Sequence, residues 1–144
     1  MMRLIFSNVL WLLIISVSNI YAQKQKYVDV EELNVVVVGN IGVSEYDSGV
    51  KIWVGNSIKK LNAEKPFQLG INLGNNFLPY GSRTNDFKKL DEVFTSTFPS
   101  SLFPFDFLTV LGNEDHKSNF YTLIQYHFQK DERFYLPKRN YVYG

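Results

Sequence analysis

F-L-T-V-L-G-N-E-D-H, residues Phe107 to His116, is a short apolar run that reaches a glycine and then opens into polar, ligand-type side chains. Two earlier stretches share this build: L-N-V-V-V-V-G-N-I-G from Leu33 to Gly42, and F-Q-L-G-I-N-L-G-N-N from Phe67 to Asn76. Each apolar run leaves through a Gly-Asn pair, at Gly39-Asn40, Gly74-Asn75 and Gly112-Asn113. Glycine allows a sharp turn out of a strand, and asparagine tolerates left-handed backbone while hydrogen-bonding its own loop. Three such exits predict one edge of a sheet, where three turns converge on one site.

The segments between these runs read as helices. Asp47 to Leu61 is predicted helical, with Trp53, Ile58 and Leu61 on one face and Lys59 and Lys60 near the C-terminal end, where cations are favoured. Thr84 or Asn85 is expected to cap a further element in which Phe87, Leu90, Val93 or Phe94, and Phe98 recur at helical spacing until Pro99. Ser118 or Asn119 should cap a last helix ending at Gln129, with Phe120, Leu123, Ile124, His127 and Phe128 as its apolar side. Strands are expected at Leu33 to Val38, Phe67 to Leu73 and Phe105 to Leu111, and extended chain at Phe134 to Pro137 and Asn140 to Gly144. Tyr141-Val142-Tyr143 reads as the opening of a strand. Four consecutive valines suit a strand buried on both faces, and the alternation of strand and helix predicts an α/β fold with parallel strands.

Composition narrows the functional classes. The chain has 144 residues, 45% hydrophobic and 16% aromatic, so one small domain with a real core is expected. The formal net charge of +1 gives no electrostatic case for a nucleic-acid partner. Residues 1–22 read as a secretory signal peptide: Arg3 supplies the positive region, Val9 to Val17 the apolar one, and cleavage is expected after Ala22. No second apolar stretch of membrane-spanning length follows, so the mature chain is expected to have no transmembrane segment, and its location is expected to be the secretory pathway, secreted or vacuolar or in the ER lumen. Residues 23–32 form a polar lead-in before the domain at 33–144. With no cysteine anywhere, packing alone must carry stability.

G-N-I-G after the first strand, G-N-N-F after the second and G-N-E-D-H after the third resemble the blocks of the calcineurin-like metallophosphoesterases. The purple, or tartrate-resistant, acid phosphatases are the most similar group, with blocks G-D-x-G, G-D-N-F-Y and G-N-H-D-H. The resemblance runs from Leu33 to Gly144 and covers the N-terminal half of a family domain. It implies a partial metallophosphoesterase-type layered α/β sandwich with parallel strands, each followed by a helix. In that family the two aspartates and the tyrosine ligate a pair of metals, and the asparagine of the third block is a further ligand. The histidine after it contacts the phosphate, and the metals activate water for attack on the ester.

This chain departs from the pattern where the chemistry sits. Asn40 and Asn75 occupy the aspartate positions, Leu78 the tyrosine position and Glu114 the histidine position, while Asn113, Asp115 and His116 match. Amides are poor replacements for carboxylates that offset two crowded dications, and a glutamate repels a phosphate dianion. Asn40, Asn75, Leu78 and Asn113 are therefore vestigial metal positions, and no cofactor and no catalytic residue is expected. Glu114, Asp115 and His116 remain a candidate weak single-cation site. The expected protein is a secretory-pathway pseudoenzyme with a binding or scaffold role and an unknown protein partner. The alternative is a metal-dependent phosphoric-monoester hydrolase, truncated here, whose dinuclear centre would pair iron with iron, zinc or manganese.

Overall fold

A computed structural model describes residues 24–144; the expected signal peptide at 1–22 lies outside the described residues. Four short strands, β1 (Val35–Val38), β2 (Leu69–Asn72), β3 (Phe107–Thr109) and β4 (Phe134–Tyr135), pair in parallel in the order β1-β2-β3-β4. Between them run α1 (Gly49–Glu64), α2 (Phe87–Leu90) continuing into a π turn (Asp91–Thr95), and, after a 3-10 turn (Asp115–Lys117), α3 (Tyr121–Gln129). The main compact unit is Val28–Tyr141. In a separate minor unit, residues 24–27 run beside Val142–Gly144, with the Lys26 N–H donating to the Gly144 carbonyl at 2.8 Å.

Register explains which side of the sheet is dry. Val36, Gly70, Phe107 and Phe134 form one row across all four strands, and each is buried. A glycine sits in that row because the Phe107 ring fills its place: a Cβ on Gly70 would lie 2.3 Å from the Phe107 ring. Leu90, Val93, Phe94, Leu123 and Tyr126 from the α2–π segment and α3 close on this row. Phe94 is the hub, its ring 5.2 Å from those of both Phe107 and Phe134, edge to face. Right-handed crossovers that add strands in one direction put every helix on the same side of the sheet.

The other side is open at β1 and closes toward β4, where Tyr135 is buried. Val37 is 55% exposed, with Leu73 and Val110 also exposed, so the expectation of a valine strand buried on both faces is corrected to burial on one. The helix predicted from Asp47 is present, capped by Ser48, whose hydroxyl accepts from the Lys51 N–H at 3.2 Å. Of its expected apolar face only Ile58 packs against the core: Trp53 is 79% exposed, Leu61 is exposed too, and the one residue of the helix classed as buried is Gly55. Spacing alone set Trp53 inward, but β1 is an edge strand with too little sheet beyond it to receive that face.

Other boundaries move by a residue or two. Asp86, not Thr84 or Asn85, caps α2, accepting from the Lys89 N–H at 3.4 Å. The segment then widens into a π turn closed by the Ser96 N–H on the Asp91 carbonyl at 2.9 Å, which no spacing argument anticipated. Tyr126 anchors that turn to α3. Its phenol donates to Asp91 Oδ1 at 2.7 Å and lies 2.8 Å from the Thr95 hydroxyl, and burial first, then Asp91, pushes its ionisation upward. Tyr141-Val142-Tyr143 forms no strand; Tyr141 instead donates its phenol to the Thr109 and Tyr135 carbonyls at 2.9 and 3.0 Å.

Candidate functional site

The three Gly-Asn exits do meet, at the C-terminal edge of the sheet. Asn40 and Asn75 take left-handed backbone, φ 55° and 60°, and Gly74 precedes Asn75 at φ 90°. These conformations favour glycine and asparagine over other residues, which accounts for Asn40, Gly74 and Asn75; Gly39, Gly112 and Asn113 are not left-handed. The turns then bond directly to one another: the Asn40 N–H donates to the Gly74 carbonyl at 3.0 Å, and the Gly42 N–H to the Asn75 carbonyl at 3.1 Å. Their backbones are so close that a Cβ on Gly112 would lie 2.2 Å from Asn75 Oδ1.

Side chains complete the junction. The Asn75 amide donates from Nδ2 to Asn40 Oδ1 at 2.8 Å, and its Oδ1 accepts from the Glu114 N–H at 3.0 Å. One asparagine thus links the first turn to the third through both ends of its amide. Beneath it, Asp115 is completely buried, and its carboxylate accepts four hydrogen bonds. Oδ2 takes the N–H groups of Asn75 at 2.8 Å and Gly112 at 2.9 Å and the Asn76 amide at 3.0 Å, while Oδ1 takes the Asn76 N–H at 2.8 Å. Asn72, pointing inward from β2, donates to Asn76 Oδ1 at 2.6 Å and accepts from the Gly74 N–H at 3.2 Å. The parts of Asn72 and Asn76 were missed in the sequence; the available signal was an asparagine at an inward position of an otherwise apolar strand.

Is this a place for metal ions? Asn40 and Asn75 lie together, but Asn113 is exposed and turns its amide to Glu114 Oε1 at 2.8 Å. Leu78 contributes no donor atom, and its backbone N–H reaches the Gly42 carbonyl at 3.4 Å. Nor does the candidate single-cation set converge. Asp115 points into the junction, while His116 is exposed with its ring 5.8 Å from that of Phe120. Glu114 Oε1 is 2.7 Å from the Lys117 ammonium. Glu114 Oε2 is buried without a partner, the one free anionic oxygen at the junction, but Lys117 already supplies its countercharge. Among the described residues no three histidine, aspartate or glutamate side chains are grouped as a metal cage. These donors do not fit a dinuclear centre, since neutral amides and a saturated carboxylate leave two dications unneutralised.

His127 is packed rather than poised. It is buried on α3, with Nδ1 3.1 Å from the Glu132 carbonyl and its ring 5.1 Å from that of Tyr135. Lys51 is the unexpected cation. Its ammonium leaves α1 to donate to the carbonyls of Ile41, Val43 and Val93 at 2.6, 2.7 and 2.6 Å, pinning the first turn to the π segment. Burial pushes its pKa down to about 8, with Glu45 opposing that shift and Lys89 adding to it.

No protein-family model matches this sequence, and no curated protein is similar to it in sequence. Among solved structures, one described as GAP50, the anchor in the inner membrane complex of Plasmodium, is similar, with a TM-score of 0.57 at 17% sequence identity. The similarity covers 68% of this chain and 30% of that one, so this chain spans well under half of the length of its structural neighbour. At that identity the likeness is one of fold. No helix among the described residues is long and apolar enough to cross a membrane.

Proposed function

We propose that this chain is a non-catalytic relative of the metallophosphoesterases that acts in the secretory pathway by binding or scaffolding. The observation that carries the reading is Asn75. At the position where the resembling family needs a metal-bridging carboxylate, this residue spends its amide nitrogen on Asn40 and its amide oxygen on the Glu114 backbone. A group already bonded at both ends, and neutral, has no capacity to hold two dications together. Asp115 is committed as well, its buried carboxylate accepting four N–H donors. The junction thus serves to hold three turns in fixed positions and present them. A structural neighbour described as an anchor is in keeping with such a role.

Metal analysis of the purified chain after incubation with iron, zinc and manganese tests the reading, together with turnover of a phenyl phosphate. The expected result is substoichiometric metal and no turnover. Two ions bound per chain, or hydrolysis that depends on added metal, refutes it and restores the phosphoric-monoester hydrolase.

A further inference from the structure

The neighbouring parallel strands β3 and β4 leave the sheet by the same edge, and the segments that follow them meet around one ring, that of Phe120. The Tyr121 ring stacks against it with centroids 4.5 Å apart, and the His116 ring stands edge-on at 5.8 Å. From the segment after β4, the Arg139 guanidinium lies over Phe120, 5.6 Å from the ring centroid. A guanidinium laid on an aromatic face is held in place while its N–H fork stays free in its own plane. Arg139 is exposed, and among the described residues its guanidinium has no hydrogen bond and no ion pair. The carboxylates beside His116 in the sequence are both turned away. Asp115 is buried in the junction, and Glu114 has one oxygen on the Lys117 ammonium and the other buried.

We propose that Arg139, Phe120 and Tyr121 form a docking surface for an acidic polypeptide segment in which a carboxylate side chain adjoins an aromatic one. Such docking rests on the binding role proposed above and gives its protein partner a chemistry. The carboxylate takes the free fork of Arg139 in the bidentate geometry that guanidinium groups favour. The adjoining ring lies on Tyr121, which is 62% exposed. Exposed Arg and Tyr side chains set together are the kind that anchor protein–protein contacts, whereas small ligands are held in concave sites. Here Arg139, His116 and Tyr121 all face solvent. A polyanion such as heparin gains affinity with each cation it neutralises, and the nearby Lys117 is already spent on Glu114. One free guanidinium beside an aromatic pair therefore suits a single carboxylate with an apolar neighbour.

Fluorescence anisotropy with a labelled peptide of alternating glutamate and phenylalanine tests it on the purified chain. The same peptide with glutamine for glutamate, and a labelled heparin hexasaccharide, are measured beside it. The glutamate peptide should bind about ten-fold more tightly than the glutamine peptide, the difference expected for a charge-assisted pair. Arg139→Gln should erase that preference, and Arg139→Lys, which keeps the charge but not the fork, should retain only part of it. Tyr121→Ala should weaken both peptides alike, with circular dichroism confirming the fold of each variant. No binding of either peptide, equal binding of the two, or a preference that survives Arg139→Gln would each overturn the assignment. So would heparin bound more tightly than the glutamate peptide, or a folded Tyr121→Ala chain that binds both peptides as before. Failure of the non-catalytic reading shows separately, as bound metal or turnover, so neither result masks the other.

Discussion

Asp115→Asn is the most informative change to the junction, because it removes a charge while keeping nearly every atom in place. The carboxylate accepts three N–H groups at Oδ2 and one at Oδ1, with no solvent contact. An asparagine does best with its oxygen toward the three donors, which sets its own NH2 against the Asn76 N–H. One charge-assisted bond of about 2 kcal/mol is then lost and two donors are forced together. The other three bonds fall to neutral strength, roughly 1 kcal/mol less each, offset in part because a neutral amide is easier to bury than a carboxylate. The net loss is about 3–5 kcal/mol, a large share of the 5–15 kcal/mol that holds a typical domain together. Urea unfolding at neutral pH, followed by circular dichroism, reads it as a drop in midpoint at constant slope. A loss below about 1 kcal/mol would refute the claim that Asp115 fastens the second and third turns.

Two further outcomes follow from the same geometry. Gly112→Ala drives a Cβ to 2.2 Å from Asn75 Oδ1 and 2.5 Å from its backbone nitrogen, and should cost about 2–3 kcal/mol in the same urea assay; an effect under ~0.5 kcal/mol would mean that the turns are not in contact. For Lys51, the folded pKa of about 8 lies below the ordinary 10.5, so the unfolded chain binds more protons between those values and stability rises with pH there. The gain is on the order of 1 kcal/mol after allowance for the solvent that reaches the ammonium, and Lys51→Met should flatten it. It is best read below pH 10, the ordinary value for tyrosine, because burial raises the ionisation of both Tyr126 and Tyr141 and these subtract stability above it.

How much of this was legible in the sequence depends on what each residue reports. The three exits were, because an apolar run, a glycine and an asparagine encode strand and turn locally, and parallel order follows from the intervening segments. Trp53 and Leu61 misled because helical spacing states which residues share a face, not whether a sheet extends far enough to meet that face. The π turn at Asp91–Thr95 was hidden, since its extra residue is accommodated by tertiary bonds from Tyr126 and Asp131 rather than by local preference. Asp115 looked like a ligand because a short acidic stretch beside a histidine is ambiguous until the direction of each carboxylate is known. Its direction is set by Asn75 and Asn76, about forty positions earlier in the chain.

The Asn40–Asn75–Glu114 link has a polarity of its own. The Asn75 amide gives at one end and receives at the other, so turning it around would oppose oxygen to oxygen at Asn40 and nitrogen to nitrogen at Glu114. That relay admits one arrangement, and since an amide neither gains nor loses a proton in ordinary water, acidification and added salt leave it as it was. Where a carboxylate in its place would respond to every change in ionic surroundings, this one amide contact between Asn40, Asn75 and the Glu114 N–H is indifferent to them.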